Sequence, residues 1–264
     1  MNKTALVTGA SSGIGAEFAR QLAARGHDLV LVARSVERME ALAAELADRH
    51  GVAVEVIGQD LSAPDAAARV AERVQGRRID LLVNNAGFGT AGRFQDLSPE
   101  REHDELMVNV VALVGLTHAL VPGMLARGEG AVVNVGSTAG FNVAPYFATY
   151  GASKAFVLNF SLALWSELRG TGVKVLAVTP GPVETPFFDV LGTRDAAIGG
   201  KMSTPRQVVA AALRGLDRDR GYVVPGASNF AMAHLMPRRP RRLLALVSRM
   251  VTRGVARTPT VATT

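Results

Sequence analysis

Short apolar segments alternate with helix-length stretches through most of this chain, and that alternation limits the fold more than any other feature. The apolar segments lie at residues 3–8, 27–33, 53–57, 79–83, 131–135, 173–178 and 222–224. Helical stretches fill the intervals at 16–25, 36–49, 64–75, 99–127 and 207–216, with a further one that carries Tyr150 and Lys154 and runs to about Arg169. Residues 29–33 are apolar without interruption, as a strand covered on both faces requires. The pattern predicts a doubly wound parallel α/β sheet of about seven strands, with right-handed crossovers and helices on both faces. One domain over 1–226 is expected, followed by an extension, 227–264, that is not a separate domain. Ligands are expected beyond the carboxyl ends of the strands.

The residues at that edge point to a dinucleotide. The first strand ends in Gly9-Ala-Ser-Ser-Gly13-Ile-Gly15. Glycines let the backbone turn tightly and approach a pyrophosphate, whose charge the free N–H groups of the next helix can meet; an ordinary connecting loop is the alternative. The second strand ends on Arg34, where an acidic residue would bind ribose hydroxyls and an arginine accommodates a 2′-phosphate. Asp28 stands at the wrong end of that strand. Arg34, with Arg38 as a second contributor, therefore favours NADP(H) over NAD(H), the alternative being an arginine that caps a strand. Asp60-Leu61 and Asn84-Asn-Ala-Gly87 follow the third and fourth strands; the asparagines either turn the chain or hold neighbouring loops and contact adenosine.

Tyr150 and Lys154 stand one helical turn apart. A phenol titrates near pH ~10, and a cation held beside it favours the phenolate and brings it towards the working range. The chain has four lysines, Lys3, Lys154, Lys174 and Lys201, and three tyrosines, Tyr146, Tyr150 and Tyr222, so this pairing in an arginine-rich chain reads as selected. Ser137 lies at the ligand end of the fifth strand. Asn109 is an amide in an apolar run and needs partners; it serves structure alone or opens the helix locally and fixes a water.

The ordered series Thr8-Gly-x-x-x-Gly13-x-Gly15, Asp60, Asn84-Asn-Ala-Gly87, Asn109, Ser137, Tyr150-x-x-x-Lys154 and Pro180-Gly181 resembles the short-chain dehydrogenase/reductase family over roughly residues 1–225. The resemblance implies a Rossmann fold and a nicotinamide-dependent carbonyl reductase or alcohol dehydrogenase. It implies that Tyr150 exchanges the proton with the substrate oxygen, that Ser137 positions that oxygen, that Lys154 lowers the phenol and bonds the nicotinamide ribose, and that Asn109 holds a water. The cofactor contacts it implies are Gly9, Ser11, Ser12, Gly13, Ile14, Gly15, Arg34, Asp60, Leu61, Asn85, Ala86, Gly87, Tyr150, Lys154, Pro180, Gly181, Val183 and Thr185, with no metal. A Tyr–Lys spacing of four speaks against the enoyl reductases of the family. A cofactor-binding sensor or scaffold without turnover is the alternative class, and membrane or nucleic-acid binding through the tail is a third.

Phe88, Phe94, Phe141, Phe147, Phe187 and Phe188 fall near the ligand edge and suggest a hydrophobic substrate, nearest to the hydroxysteroid and long-chain ketoacyl branch. The segment 183–201 lacks a period and reads as a functional loop. Family members commonly pair through the helices that hold Asn109 and Tyr150, so a homodimer or homotetramer is expected. Phe156, Phe160, Leu164 and Leu168 repeat at i+4 and suit either a twin helix or the sheet.

Charge weighs against nucleic acid. The chain carries a net +6, but residues 221–264 hold seven arginines and no acidic residue, leaving 22 basic against 23 acidic in residues 1–220. A nucleic-acid binder carries its basic stripe on the folded body. Residues 241–253 read as a basic amphipathic helix that lies on an anionic membrane, docks on a partner, or covers its own pocket or a second subunit, and 258–264 as a frayed end. The absence of cysteine excludes disulfides and thiolate chemistry. No signal-peptide core and no run approaching the ~20 residues of a membrane span are read, so a cytoplasmic protein is expected, peripheral at the membrane if the basic helix lies there.

Overall fold

The computed structural model describes residues 2–191 and 202–255. Its centre is one parallel sheet of β1 (Thr4–Thr8), β2 (Asp28–Ala33), β3 (Val54–Gly58), β4 (Leu81–Asn84), β5 (Gly130–Val135), β6 (Val173–Val178) and β7 (Tyr222–Val223), ordered β3-β2-β1-β4-β5-β6-β7. The order reverses at β1 and β4, which opens a crevice at their carboxyl ends, the place where such sheets bind ligands. The expected fold class is the observed one.

Alternation along each strand sorts the helices into two layers. Ala5 and Val7 of β1 face one core, and Leu6 between them faces the other. The first core is closed by α1 (Gly13–Ala23), α2 (Val36–His50) and α8 (Pro205–Asp217), through Phe18, Leu22, Met39, Leu46 and Leu213. On the other face lie α3 (Ala66–Arg73), α5 (Leu113–Arg127) and α6 (Ala148–Glu167), through Val70, Leu116, Met124 and Leu164. Leu164 and Leu168 thus pack towards the sheet, whereas Phe156 is 40% exposed and stacks on Phe160.

Several sequence expectations need correction. The stretch 99–127 is not one bent helix: α4 (Pro99–Leu106) passes into a π-helical turn, Met107–Ala112, and then into α5. Its uncharged run also overturns the reading that nothing approaches a membrane span, since Pro99–Arg127 is long and apolar enough to cross one, with a window of mean hydropathy 1.8. That apolarity covers the sheet, because Leu113, Leu116, Val121 and Met124 are all buried. The segment read as irregular contains α7 (Phe187–Leu191) and a bridge between Val183 and Ser203, and its remainder, 192–201, lies outside the described residues, as does 258–264.

The extension holds two helices where one was expected. α9 (Ala227–Leu235) precedes α10 (Arg241–Val251). Asn229 is buried and donates to the Pro225 carbonyl at 2.9 Å, and the His234 ring pairs with the Tyr222 hydroxyl at 2.7 Å. These bonds tie α9 to the β7 edge.

Candidate active site

A cleft of about 640 Å³ opens at the carboxyl edge of the sheet, within the size range of small-molecule sites. Its floor is the glycine-rich turn. Gly9 has φ +63°, a conformation that side chains resist, and a Cβ on Gly15 would stand 2.2 Å from the Gly9 carbonyl oxygen. The turn is fixed from β4: Asn85 Nδ2 donates to the carbonyls of Thr8 at 2.8 Å and Gly9 at 3.2 Å. In return, Thr8 Oγ1 accepts from the Asn85 and Ala86 amides. α1 starts at Gly13 rather than Ala16, with no side-chain cap from Ser12 and no acidic residue in its first turn. Among the described residues its leading N–H groups have no side-chain acceptor, as an anion-binding helix end requires.

Gly9, Ser11, Ser12, Gly13, Ile14, Arg34, Asp60, Leu61, Asn85, Ala86 and Gly87 line the cleft, as do Pro180, Gly181, Val183 and Thr185. Gly15 does not; it is the point where α1 packs onto the turn. Arg34 is exposed at the end of β2, and Arg38 lies off the cleft wall. Among the described residues, the segment that leaves β2, Arg34-Ser35-Val36, carries no carboxylate, and Asp28, at the opposite end, accepts from Asn2 and from the Ala53 amide. Asp60 accepts from the Ser62 amide and hydroxyl at 3.0 and 2.9 Å and shapes its own loop. These residues fit a dinucleotide: a glycine floor, a helix start without a side-chain cap and Arg34 at the end of β2.

Ser137, Tyr150 and Lys154 line the same cleft. Ser137 leaves β5 in extended conformation, and its hydroxyl accepts from the Ala139 amide at 3.1 Å and bonds the Tyr150 phenol. The Tyr150 ring lies 5.5 Å from that of Phe187 and is edge-on to Phe147. Lys154 is buried, donates to the Val135 carbonyl at 3.0 Å, and holds its Nζ 5.8 Å from the Tyr150 ring centre. Asn109 sits behind the wall, in the π turn. It donates to the Phe88 carbonyl at 2.9 Å and to Ser153 Oγ at 3.0 Å, and accepts from the Phe88 amide. Gly87 leaves it room, since a Cβ there would lie 2.8 Å from Asn109 Oδ1 and 3.3 Å from Lys154 Nζ.

Burial dominates the ionisation of these groups. It pushes the Tyr150 phenol up to about 12, the Ser137 bond opposing and Glu105 adding to the rise. Burial brings Lys154 down to about 8, with Glu105 opposing. The direction at Tyr150 is opposite to the one expected from a neighbouring cation, because burial outweighs it where the ring packs against Phe147 and Phe187.

Glu105 was not foreseen. It is fully buried, accepts from the Thr90 amide and hydroxyl at 2.7 Å each, and leaves Oε1 without a partner. Thr90 also bonds Glu102, which bonds Thr149 beside Tyr150. The one available sequence signal is an acid four residues before Asn109, on the same helix face.

The substrate side of the cleft is apolar. Phe88, Phe147, Phe187 and Phe188 lie on its wall, whereas Phe94 is 67% exposed and Phe141 packs on Tyr222 and His234. Met232 and Met236 come from α9 and the turn after it, and Val247, Ser248, Val251 and Thr252 from α10 and its end. The extension thus covers part of its own cleft.

Comparison with known proteins follows the same outline. A family model described as short chain dehydrogenase matches residues 3–195. Sulfoacetaldehyde reductase of Chromohalobacter salexigens is 39% identical over 245 residues, 90% of this chain and 95% of that protein. A short-chain dehydrogenase from Sphingobium yanoikuyae, solved in complex with NADPH, superposes with a TM-score of 0.81 at 38% identity, covering 99% of this chain and 98% of that one. The bulky-bulky ketone specific alcohol dehydrogenase from Comamonas testosteroni gives 0.76 at 33% identity over 99% and 96% of the two chains.

Proposed function

The chain belongs to the short-chain dehydrogenase family and is an oxidoreductase of the CH–OH/C=O couple, and from that premise we propose that it is an NADP(H)-dependent reductase of ketones with apolar bodies. The observation that carries the proposal is a single cleft whose lining includes Arg34, the Ser137–Tyr150 pair and the Phe187–Phe188 wall. The dinucleotide, when bound, supplies or accepts the hydride. The glycine turn and the start of α1 would hold its pyrophosphate, Arg34 its 2′-phosphate, and Lys154 the nicotinamide ribose.

A phenol raised to about 12 stays protonated at neutral pH, which suits Tyr150 as the donor of a proton to the substrate oxygen. Ser137 Oγ, bonded to that phenol, orients the oxygen and meets the charge it develops. The partly neutralised Lys154 is charged below about pH 8, so the reductase rate falls as pH rises through that value. Asn109 positions the Gly87–Phe88 backbone and Ser153. In solution the protein associates as a homo-oligomer through α4, the π turn and α6, where Leu106, Val111 and Phe156 are 42%, 46% and 40% exposed.

The test follows NADPH and NADH oxidation with bulky ketones, ketoacyl thioesters and sulfoacetaldehyde. The expected result is NADPH-dependent turnover of bulky ketones, reduced about 10²-fold or more in Tyr150→Phe with NADPH binding retained. Arg34→Ala narrows the preference for NADPH about tenfold, the worth of a charge-assisted hydrogen bond. Unchanged turnover in Tyr150→Phe refutes the mechanism, and tight NADPH binding without turnover favours a sensor. A second reading, an anionic aldehyde, rests on Arg101, whose guanidinium lies on the cleft wall 5.3 Å from the Phe88 ring centre; sulfoacetaldehyde turnover that is lost in Arg101→Ala would support it.

A further inference from the structure

The exposed apolar side chains at the end of the described chain are gathered on one face. Leu243, Leu246, Val247 and Met250 of α10 recur at spacings of three and four and are 50%, 62%, 38% and 75% exposed. Leu244 and Thr252, on another side of the helix, are buried. A third stripe carries Arg242, Arg249 and Arg253, which fall together at 3.6 residues per turn. Arg238, Arg239 and Arg241 stand at the entrance to the helix, and none of these six arginines forms an ion pair among the described residues. Val247 and Val251 are exposed and also line the catalytic cleft, so the apolar face continues into the cleft mouth.

We propose that α10 docks this face on an anionic lipid bilayer, apolar stripe inserted and arginines at the headgroups. Charge selects the occupant. A second copy laid on the same face would set arginines against arginines, with no acidic residue between 221 and 264 to pair with them. An anionic bilayer satisfies both stripes: it buries the apolar side chains to the depth of the acyl boundary and attracts each arginine, raising partitioning about fivefold per arginine near the surface. Docking in this pose turns the cleft mouth towards the acyl chains. On the reading of the cleft as a reductase site for apolar ketones, on which this last step rests, the substrate enters from the lipid.

The test is sedimentation of the full chain with vesicles. Equimolar phosphatidylglycerol and phosphatidylcholine should bind at least tenfold more protein than pure phosphatidylcholine, with binding that weakens as salt is added. The double variant Leu246→Glu, Met250→Glu alters neither a cleft-lining residue nor an arginine, and it should lose vesicle binding while NADPH binding stays unchanged. Arg242→Ala with Arg249→Ala should lose the salt-sensitive part. Equal binding to both vesicles, or binding that survives the double variant, overturns the proposal. A dimer in sedimentation velocity that the double variant dissociates assigns the face to a second copy and also overturns it. Vesicle binding without turnover of any ketone leaves the docking surface standing and removes only the reductase reading.

Discussion

Glu105 is a carboxyl group placed where water cannot reach it, and its chemistry follows from that. Burial raises it from 4.5 to about 7; the Thr90 bonds oppose the rise, Glu102 adds to it and Lys154 opposes it. In the folded protein it therefore holds its proton over a range in which the unfolded chain has released it. Its contribution to stability is complete below pH 4.5 and is lost as pH rises through about 7. At about 1.4 kcal/mol per pH unit the difference amounts to roughly 3 kcal/mol. Glu105→Gln keeps an acceptor for Thr90 and removes the titration. Urea unfolding at pH 5 and pH 8 should show the parent losing more stability than the variant by about that amount, and parallel losses would refute the assignment.

At the scale of elements, the glycine turn and the π turn set the site, and they differ in how far sequence announces them. The turn was legible because its requirements are local: Gly9 for a positive φ, Gly15 for the contact with Gly9. Gly15→Ala should therefore cost about 1–3 kcal/mol of stability through overpacking and weaken NADPH binding tenfold or more, as titration of protein fluorescence would show. Equal affinity would mean that the turn yields. The order of strands along the sequence was equally legible, since burial on both faces leaves apolar runs such as residues 29–33 between helix-length stretches. The π turn was half legible, as Asn109 in an apolar run asks for partners but does not name Phe88 and Ser153. α9 was missed because its packing depends on Asn229 and His234 meeting Pro225 and Tyr222. The direction of the Tyr150 shift was missed for a like reason: the rings that bury the phenol arrive from residues 147 and 187, on separate elements.

For the whole molecule, association and assembly follow from how the layers are exposed. Leu106 and Val111 are exposed on α4 and the π turn, and Phe156 is exposed on α6, stacked at 5.7 Å on Phe160. Phe156→Glu should convert the proposed oligomer to monomer by light scattering, with the fold retained by circular dichroism, and an unchanged mass would exclude this face. The strand order carries a different consequence, one for synthesis. β1 lies between β2, which in turn pairs with β3, and β4, whose Leu81–Leu82–Val83 complete its other side. While the chain leaves the ribosome, Ala5, Leu6 and Val7 offer a bare edge until those later residues emerge, and a strand in that state pairs readily with a neighbouring nascent chain. Slow translation between residues 58 and 81 would prolong that exposure, and the expected outcome is a lower yield of soluble protein.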